Sequence, residues 1–439
     1  MLEEIIQPIT NIFLEKLQEK EVLLISHFDT DGITSATIMI QTLKRLDIQF
    51  SVKIIKSLEK EFIETLPKNK VILFLDLASG SLNYLKETEI EDIFIIDHHE
   101  IIQEVPSNVK IINPQLNDKQ KISSSSLTYL FSKTINEKNK DLAKLAILGM
   151  VGDLLEKEID KLNYGIADDG NIKKKRGLLI YPSTRPLNRV LEYSYNPYIP
   201  EVTGKIKGVM ELLREAGINP NKGGYKSLIE LNEEEMQKLT TAVMLRNPKS
   251  KNQELIGDIF LIKMFNKLED AREISAMINA CSRLGHPEIA LQICMEIPNS
   301  RKEAEAIHVR YKQALISALK FIEEAEKIIG EDFIIINAKN SIQDTIVGTI
   351  ASILSKSAIY EEGTTITAMA YYKDKIKVSA RNVGKNGRNV REMLNRIVTQ
   401  IGGEVGGHEN AAGCLIHQEK EGEFIENLRK CLEISLVKI

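Results

Sequence analysis

At 439 residues, with 43% apolar content and a formal charge of −4, the chain is too long for one ordinary core; single cores stop growing near roughly 250 to 300 residues, so two or three domains are expected. The balanced charge excludes a general field that would attract a polyanion, so any nucleic-acid partner has to be held by a local basic patch or by metal ions. Cys281, Cys294, Cys414 and Cys431 are scattered without a CxxC pair, which excludes a zinc knuckle or a disulfide framework and suits a reducing compartment.

The chain opens with an amphipathic helix, "MLEEIIQPITNIFLEKLQEK", of mixed charge rather than a signal peptide, and no apolar run reaches the roughly 18 residues needed to span a bilayer. A cytoplasmic location is expected. Four β-branched runs follow, "EVLLIS", "QFSVKII", "VILFLDL" and "DIFIID", each leading into turn residues or a helical pattern. They predict an α/β fold with a parallel sheet covered by helices on both faces, over residues 1–160. Ligands of such sheets sit beyond the carboxyl ends of the strands. Acidic residues and histidines fall there each time: His27, Asp29 and Asp31 after the first run, Asp76 at the end of the third, and Asp97, His98 and His99 at the end of the fourth.

Residues 161–300 are predicted to form an inserted, mainly helical middle region. It begins with a polar stretch rich in Gly, Pro and Tyr, "KLNYGIADDGNIKKKRGLLIYPSTRPLNRVLEYSYNPYIP". Within it "KKKR" (173–176) reads either as a solvated face or as the lining of a nucleic-acid groove, and Tyr193, Tyr195 and Tyr198 read either as base-stacking platforms or as turn packing. Residues 301–330 carry a periodic pattern without Gly or Pro up to Gly330 and predict a long linker helix. A C-terminal α/β domain over residues 331–439 then reads strand, helix, hairpin ("TITAMAYYKDKIKVSARN"), helix, a glycine-rich stretch and a last amphipathic helix.

His27, Asp29, Asp31, Asp76, His98 and Asp153, the last from "LGMVGDLLEKE", offer four carboxylates and two imidazoles. Four like charges at one sheet edge raise one another's pKa values and strain the fold unless cations sit among them. Mixed Asp and His ligation without thiolate suits two Mn²⁺ ions, with Mg²⁺ the second choice because it accepts imidazole poorly. Residues two apart in an extended segment point the same way, which explains the spacing of His27, Asp29 and Asp31, and Gly32 leaves room for the turn into the next helix. Helix capping is the competing reading of each aspartate taken singly; the set, with its adjacent histidines, favours metal. Ser123 to Ser126 read as a helix N-terminus whose N–H groups could also meet a phosphate. "INACSRLGHPE" places Cys281 and His286 near a helix end, in packing roles.

"SHFDTDG", "LDLA", "IDHHE" and "GMVGD" resemble the four motifs of the DHH phosphoesterase superfamily, and "GGEVGGHENAAG" resembles the glycine-rich motif of its companion DHHA1 domain. "RPLNRVLEYSYNPYIPEVTG" and "INACSRLGHPEIALQIC" further resemble the archaeal RecJ-like branch, which includes the GINS-associated nucleases. The resemblance implies a dinuclear site in which His27, Asp29 and Asp76 hold one metal and Asp31, Asp76, His98 and Asp153 the other, with Asp76 bridging. It assigns Asp97 to orienting the imidazoles and His99 to touching the scissile phosphate, which a hydroxide bridging the metals attacks. In the C-terminal domain it assigns phosphate contacts to Arg381, Gly406, Gly407 and His408, although Glu404 and Val405 interrupt the family's glycine run. The activity implied is a Mn²⁺-dependent exonuclease that acts 5′ to 3′ on single-stranded DNA, and on RNA as well, in DNA replication or repair, with the GINS complex as a candidate partner. The alternatives are a phosphodiesterase of short oligonucleotides or cyclic dinucleotides, and a replisome scaffold that binds GINS without catalysis.

Overall fold

A computed structural model describes residues 2–433 except 19, 102, 117–119, 158, 195–196, 198, 247–254 and 358. The chain divides into two units, residues 1–308 and 309–439.

In the first unit, five strands form a parallel sheet in the order β2-β1-β3-β4-β5: β1 Val22–His27, β2 Phe50–Ile55, β3 Val71–Leu75, β4 Ile93–Ile96 and β5 Val109–Ile112. Alternate residues of the central strands supply two cores, as a sheet buried on both faces requires. Val22, Leu24, Val71, Leu73, Leu75, Phe94 and Ile96 pack on one face with Phe13 of helix Leu2–Lys16, Met39 of helix Thr30–Arg45 and Phe131 of helix Ser124–Ile135. Leu23, Ile25, Ile72, Phe74, Ile93 and Ile95 pack on the other with Ile63, Leu82 and Leu85. The strand β5 was not among the four expected.

The region expected as an insert contributes to the same unit. "KKKRGL" forms β6 (Lys173–Leu178), the outer strand of an antiparallel sheet with β7 (Ile256–Met264) and β8 (Lys267–Asp270). Its period-two geometry divides the basic run between two faces. Lys175 turns inward and donates to the carbonyls of Ile229 and Leu231, while Lys174 lies over the Tyr164 ring and Arg176 pairs with Asp258. Tyr193 is exposed at the end of helix Leu187–Glu192; Tyr195 and Tyr198 lie outside the described residues. Phe260, Ile262 and Met264 of β7 and Ile274, Met277 and Ile278 of helix Ala271–Arg283 share one core with Ile33, Ile38 and Leu148. Cys281 and Cys294 are buried in it, and burial pushes the Cys294 thiol up to about 12, so it is inert at neutral pH.

The long helix spans Ser300–Glu324, shorter than the expected 301–330, because Ile328 and Ile329 instead form a two-residue strand, β9. The second unit carries a six-stranded sheet in the order β13-β14-β12-β11-β10-β9, with β10 Phe333–Asn337, β11 Thr365–Tyr372, β12 Lys375–Asn382, β13 Glu404–His408 and β14 Ala411–His417. Helices Val390–Ile401 and Glu421–Glu433 pack on it through Leu394, Ile397, Phe424 and Leu428. No helix among the described residues is long and apolar enough to cross a membrane.

Candidate metal centre

Three neighbouring parallel strands end in one row. Ser26 of β1 is level with Leu75 of β3, and Leu75 with Ile96 of β4. The next residues, His27, Asp76 and Asp97, therefore emerge side by side at the carboxyl edge. Two helices complete the set: Asp29 is the N-cap of helix Thr30–Arg45, Asp31 lies in its first turn, and Asp153 is the C-cap of helix Ala143–Gly152.

His27 Nδ1 lies 3.0 Å from Asp29 Oδ2 and 3.3 Å from Asp76 Oδ2. On the other side, His98 Nε2 lies 3.3 Å from Asp153 Oδ2, 3.5 Å from Asp76 Oδ1 and 4.0 Å from Asp31 Oδ2. Asp76 thus turns one oxygen to each histidine, from a backbone with φ of +60°, a conformation that non-glycine residues adopt rarely and mostly at functional positions. All six expected ligands converge, in the groups His27, Asp29, Asp76 and Asp31, His98, Asp153, each with its donor atoms within 4.8 Å of one another.

The electrostatics mark the same place. Burial, then the charges of Asp29, Asp31 and Asp153, push the Asp76 carboxyl well above the usual range. Burial, then Asp31 and Asp29, do the same to Asp153. Asp29 is only partly buried; desolvation pushes its carboxyl up, but His27 beside it outweighs this and holds it down. Asp76 Oδ1 and Asp153 Oδ2 are buried without a hydrogen-bond partner. Two unsatisfied carboxylate oxygens aimed at one imidazole are costly unless a cation completes them, and the Asp and His donor set, free of sulfur, fits Mn²⁺ or Mg²⁺.

Helix capping coexists with convergence on the candidate metal centre. Asp29 Oδ1 accepts from the Gly32 N–H at 3.0 Å while Oδ2 faces His27. Asp31 accepts from the N–H groups of Ser124 at 2.7 Å and Ser125 at 2.9 Å. The serine run is a helix N-terminus, with Ser123 as N-cap, as expected, but these two amides serve Asp31 rather than a phosphate. Asp97 Oδ1 accepts from the backbone N–H of His98 at 2.8 Å and lies 2.7 Å from His99 Nδ1, and its Oδ2 accepts from Ser79 N at 3.0 Å. Burial disfavours the charged His99 ring, but Asp97, Asp29 and Asp31 outweigh it and raise its pKa to about 9. His98 moves the other way, lowered by burial and by the charge of His99.

Two supports escaped the sequence reading. Buried Asn113, just past β5, donates to Ser79 Oγ and to the His99 carbonyl, both at 2.9 Å, and so fixes the loop that carries the histidines. Asn279 accepts from the Thr30 N–H at 3.2 Å, and Arg283 lies over the Phe28 ring, beside His27. Neither signal exists without strand β5 and the docking of helix Ala271–Arg283.

The four residues expected to contact phosphate lie in the second unit. "GGEVGGH" runs there mainly as the edge strand β13, paired with β14, rather than as a loop. Arg381 pairs with Ala411, and Ala411 with His408, so all three stand in one row on one face. Gly406 lies two residues before His408, on the same face, and a Cβ there would meet nothing within 4 Å. Gly407 has φ of +117°, and a Cβ there would fall 2.4 Å from the Ala411 carbonyl oxygen. The Arg381 guanidinium is steadied by the carbonyls of Ala380 and Ala412 and by Ser352 Oγ. His408 is exposed.

Family models agree with this organisation: the DHH family N-terminal domain matches residues 21–150, the DHH-CID domain residues 180–254 and the DHHA1 domain residues 313–434. An uncharacterised protein of Methanocaldococcus jannaschii is 27% identical over 443 residues, covering 96% of both chains. Among solved structures, exonuclease RecJ bound to manganese aligns with a TM-score of 0.61 at 17% identity, over 98% of this chain and 95% of that one. The Mn²⁺ complex of RecJ from Thermus thermophilus gives 0.61 at 17%, over 98% of this chain and 55% of that one. CDC45 from Entamoeba histolytica gives 0.64 at 12%, over 98% of each. At these identities the structural likeness speaks to fold, and it extends across the chain. The chain thus carries a DHH family N-terminal domain, a DHH-CID domain and a DHHA1 domain in series, on a fold like that of RecJ and CDC45.

Proposed function

We propose that the chain is a metal-dependent phosphodiesterase that removes nucleotides from single-stranded nucleic acid, with DNA as the preferred substrate and 5′ to 3′ as the direction. The observation that carries this reading is the convergence of four aspartates and two histidines around the unsatisfied Asp76 and Asp153 oxygens. His27, Asp29 and Asp76 would hold one divalent cation and Asp31, Asp76, His98 and Asp153 a second, Mn²⁺ or Mg²⁺. Such ions supply Lewis acidity at a phosphoryl oxygen and an ionised water near neutral pH.

The chain's own residues do the rest. His99 would offer its remaining ring N–H to a non-bridging phosphate oxygen, and Asp97 is the positioning residue that fixes that ring. No serine or cysteine nucleophile is required. In the second unit, Arg381 and His408, which stand in one row, would contact further phosphates together with Gly406 and Gly407. The likeness to a RecJ named as an exonuclease and solved with manganese supports the choice of reaction and metal. A scaffold within a replication assembly, with GINS as partner, is the competing reading and draws on the likeness to CDC45; the complete set of metal-ligand side chains favours hydrolysis. Digestion of end-labelled DNA and RNA of increasing length, with Mn²⁺ or Mg²⁺, separates these readings. Stepwise release of mononucleotides from long single strands supports the exonuclease, preference for dinucleotides supports the compact hydrolase, and no turnover supports the scaffold.

A further inference from the structure

A further recess, of mixed polar and apolar lining, lies in the first unit, away from the candidate metal ligands. It is a cavity of about 390 Å³ whose lining includes Lys144, Lys173, Lys263, Asp141, Asn171 and Asn266. Lys144 is in the first turn of helix Ala143–Gly152, which is capped at its far end by Asp153. Nine residue steps from Lys144 to Asp153, at about 1.5 Å each, put the recess roughly 13 to 14 Å along that helix from the candidate metal centre.

The wall formed by the antiparallel sheet has a definite composition. Lys173 pairs with Leu261 and Lys263 with Leu268, and Leu261 and Lys263 are two apart on β7, so all four side chains share one face. The two lysines therefore lie on one diagonal of this face and the two leucines, as an apolar strip, on the other. The charges elsewhere in the lining are already compensated: Asp141 is held by Arg45 through two short bonds, and Lys144 pairs with Glu296. Among the described residues Lys173 and Lys263 have no carboxylate within ion-pair distance, so the recess keeps about two uncompensated positive charges. Asn171 and Asn266 add amide donors at its rim.

The geometry points to a binding site for a nucleotide-sized organic phosphate, with the phosphate between Lys173 and Lys263 and the less polar part against Leu261 and Leu268. The volume falls in the usual range for small-molecule sites, roughly 300 to 1,000 Å³. A phosphate needs the paired cations, and a ring needs the apolar strip. This inference is independent of the hydrolytic reading, because no residue of the recess belongs to the metal centre. The phosphate could come from a free mononucleotide or from the 5′ end of a strand.

The test is a titration of the full-length chain, in chelator, with a nucleoside 5′-monophosphate, followed by calorimetry and repeated with Lys173→Glu/Lys263→Glu and with the control Lys174→Ser. Lys174 stands on the opposite face of β6, so its loss leaves the recess intact. Saturable binding that falls at least about tenfold in the double variant and stays within about twofold in the control supports the site. Competition by a 5′-phosphorylated strand, but not by its unphosphorylated twin, would assign the phosphate to a strand end; failure of both to compete would assign it to the free nucleotide. Absence of binding, or binding indifferent to the double substitution in a chain with an unchanged circular-dichroism spectrum, overturns the proposal. Because chelator silences the metal centre, neither outcome depends on whether the chain hydrolyses nucleic acid.

Discussion

Asp97 Oδ1 lies 2.7 Å from His99 Nδ1 and also takes the backbone N–H of His98, so one buried carboxylate sets both the ring of one histidine and the start of the loop carrying the other. Asp97→Asn keeps the shape but removes the charge. It is expected to bring the His99 titration, followed by NMR in metal-free protein, down from about 9, and to lower kcat by roughly 10- to 100-fold. An unchanged His99 titration would mean that other carboxylates hold the ring charged.

Gly149 of helix Ala143–Gly152 packs close against Asp31, one of the candidate metal ligands. A Cβ there would lie 2.4 Å from Asp31 Oδ1, 2.1 Å from Ser125 Oγ and 2.6 Å from Thr34 Oγ1. Gly149→Ala is expected to push Asp31 off its amide donors, destabilise the chain by about 1–3 kcal/mol and weaken Mn²⁺ binding by at least about tenfold. A melting curve and a Mn²⁺ titration on the same sample read both effects, and wild-type values for both would contradict the packing argument.

How much of this was legible beforehand can be traced residue by residue. His27, Asp76 and His98 announced themselves because each ends or follows an apolar run, and a parallel sheet collects such ends on one edge. The gathering of His27, Asp76 and His98 therefore followed from local pattern. Long-range partners did not: the amides of Ser124 and Ser125 reach Asp31 across more than ninety residues. "KKKR" is a strand because β7 pairs with it, and Lys175 loses its exposure because Ile229 and Leu231 carbonyls face it. "GGEVGGH" reads as a loop from its glycines, yet β14 supplies the ladder that makes it an edge strand. The helix from Ser300 stops at Glu324 because β10 recruits Ile328 and Ile329 as a partner strand.

The Asp92 carboxylate anchors the start of β4 to the end of the first helix and to the turn before β1. Burial resists its ionisation, but Lys20 at 2.7 Å and Lys16 at 3.3 Å outweigh burial and hold the carboxyl below its usual range. A carboxyl whose pKa falls on folding adds stability above its unfolded value near 3.9, and that contribution is lost as the pH falls through the folded value. Asp92→Asn is expected to cost about 1–3 kcal/mol at pH 7 in urea denaturation, with the difference from wild type shrinking below about pH 4. A gap that persists undiminished at lower pH would point to lost packing instead of charge.

Arg381 and His408 share a row across β12, β14 and β13 in the second unit. Replacing either with Ala is expected to lower kcat/KM for a single strand by about 10- to 100-fold while Mn²⁺ affinity stays within about twofold. Equal loss of metal binding would show that these residues serve the centre itself.

The central claim is that Asp76 joins two metal sites, and calorimetric titration of the chelator-treated, full-length chain with Mn²⁺ tests it most directly, with wild type and Asp76→Ala side by side at pH 7.5. The pKa of Asp76 is raised by folding, so the metal-free chain loses stability as pH rises through that value, and the substitution should remove this penalty. The expected result is uptake of about two Mn²⁺ ions by the wild type and loss of both in Asp76→Ala, in a chain that melts no lower than metal-free wild type. Full Mn²⁺ uptake by Asp76→Ala would contradict the account.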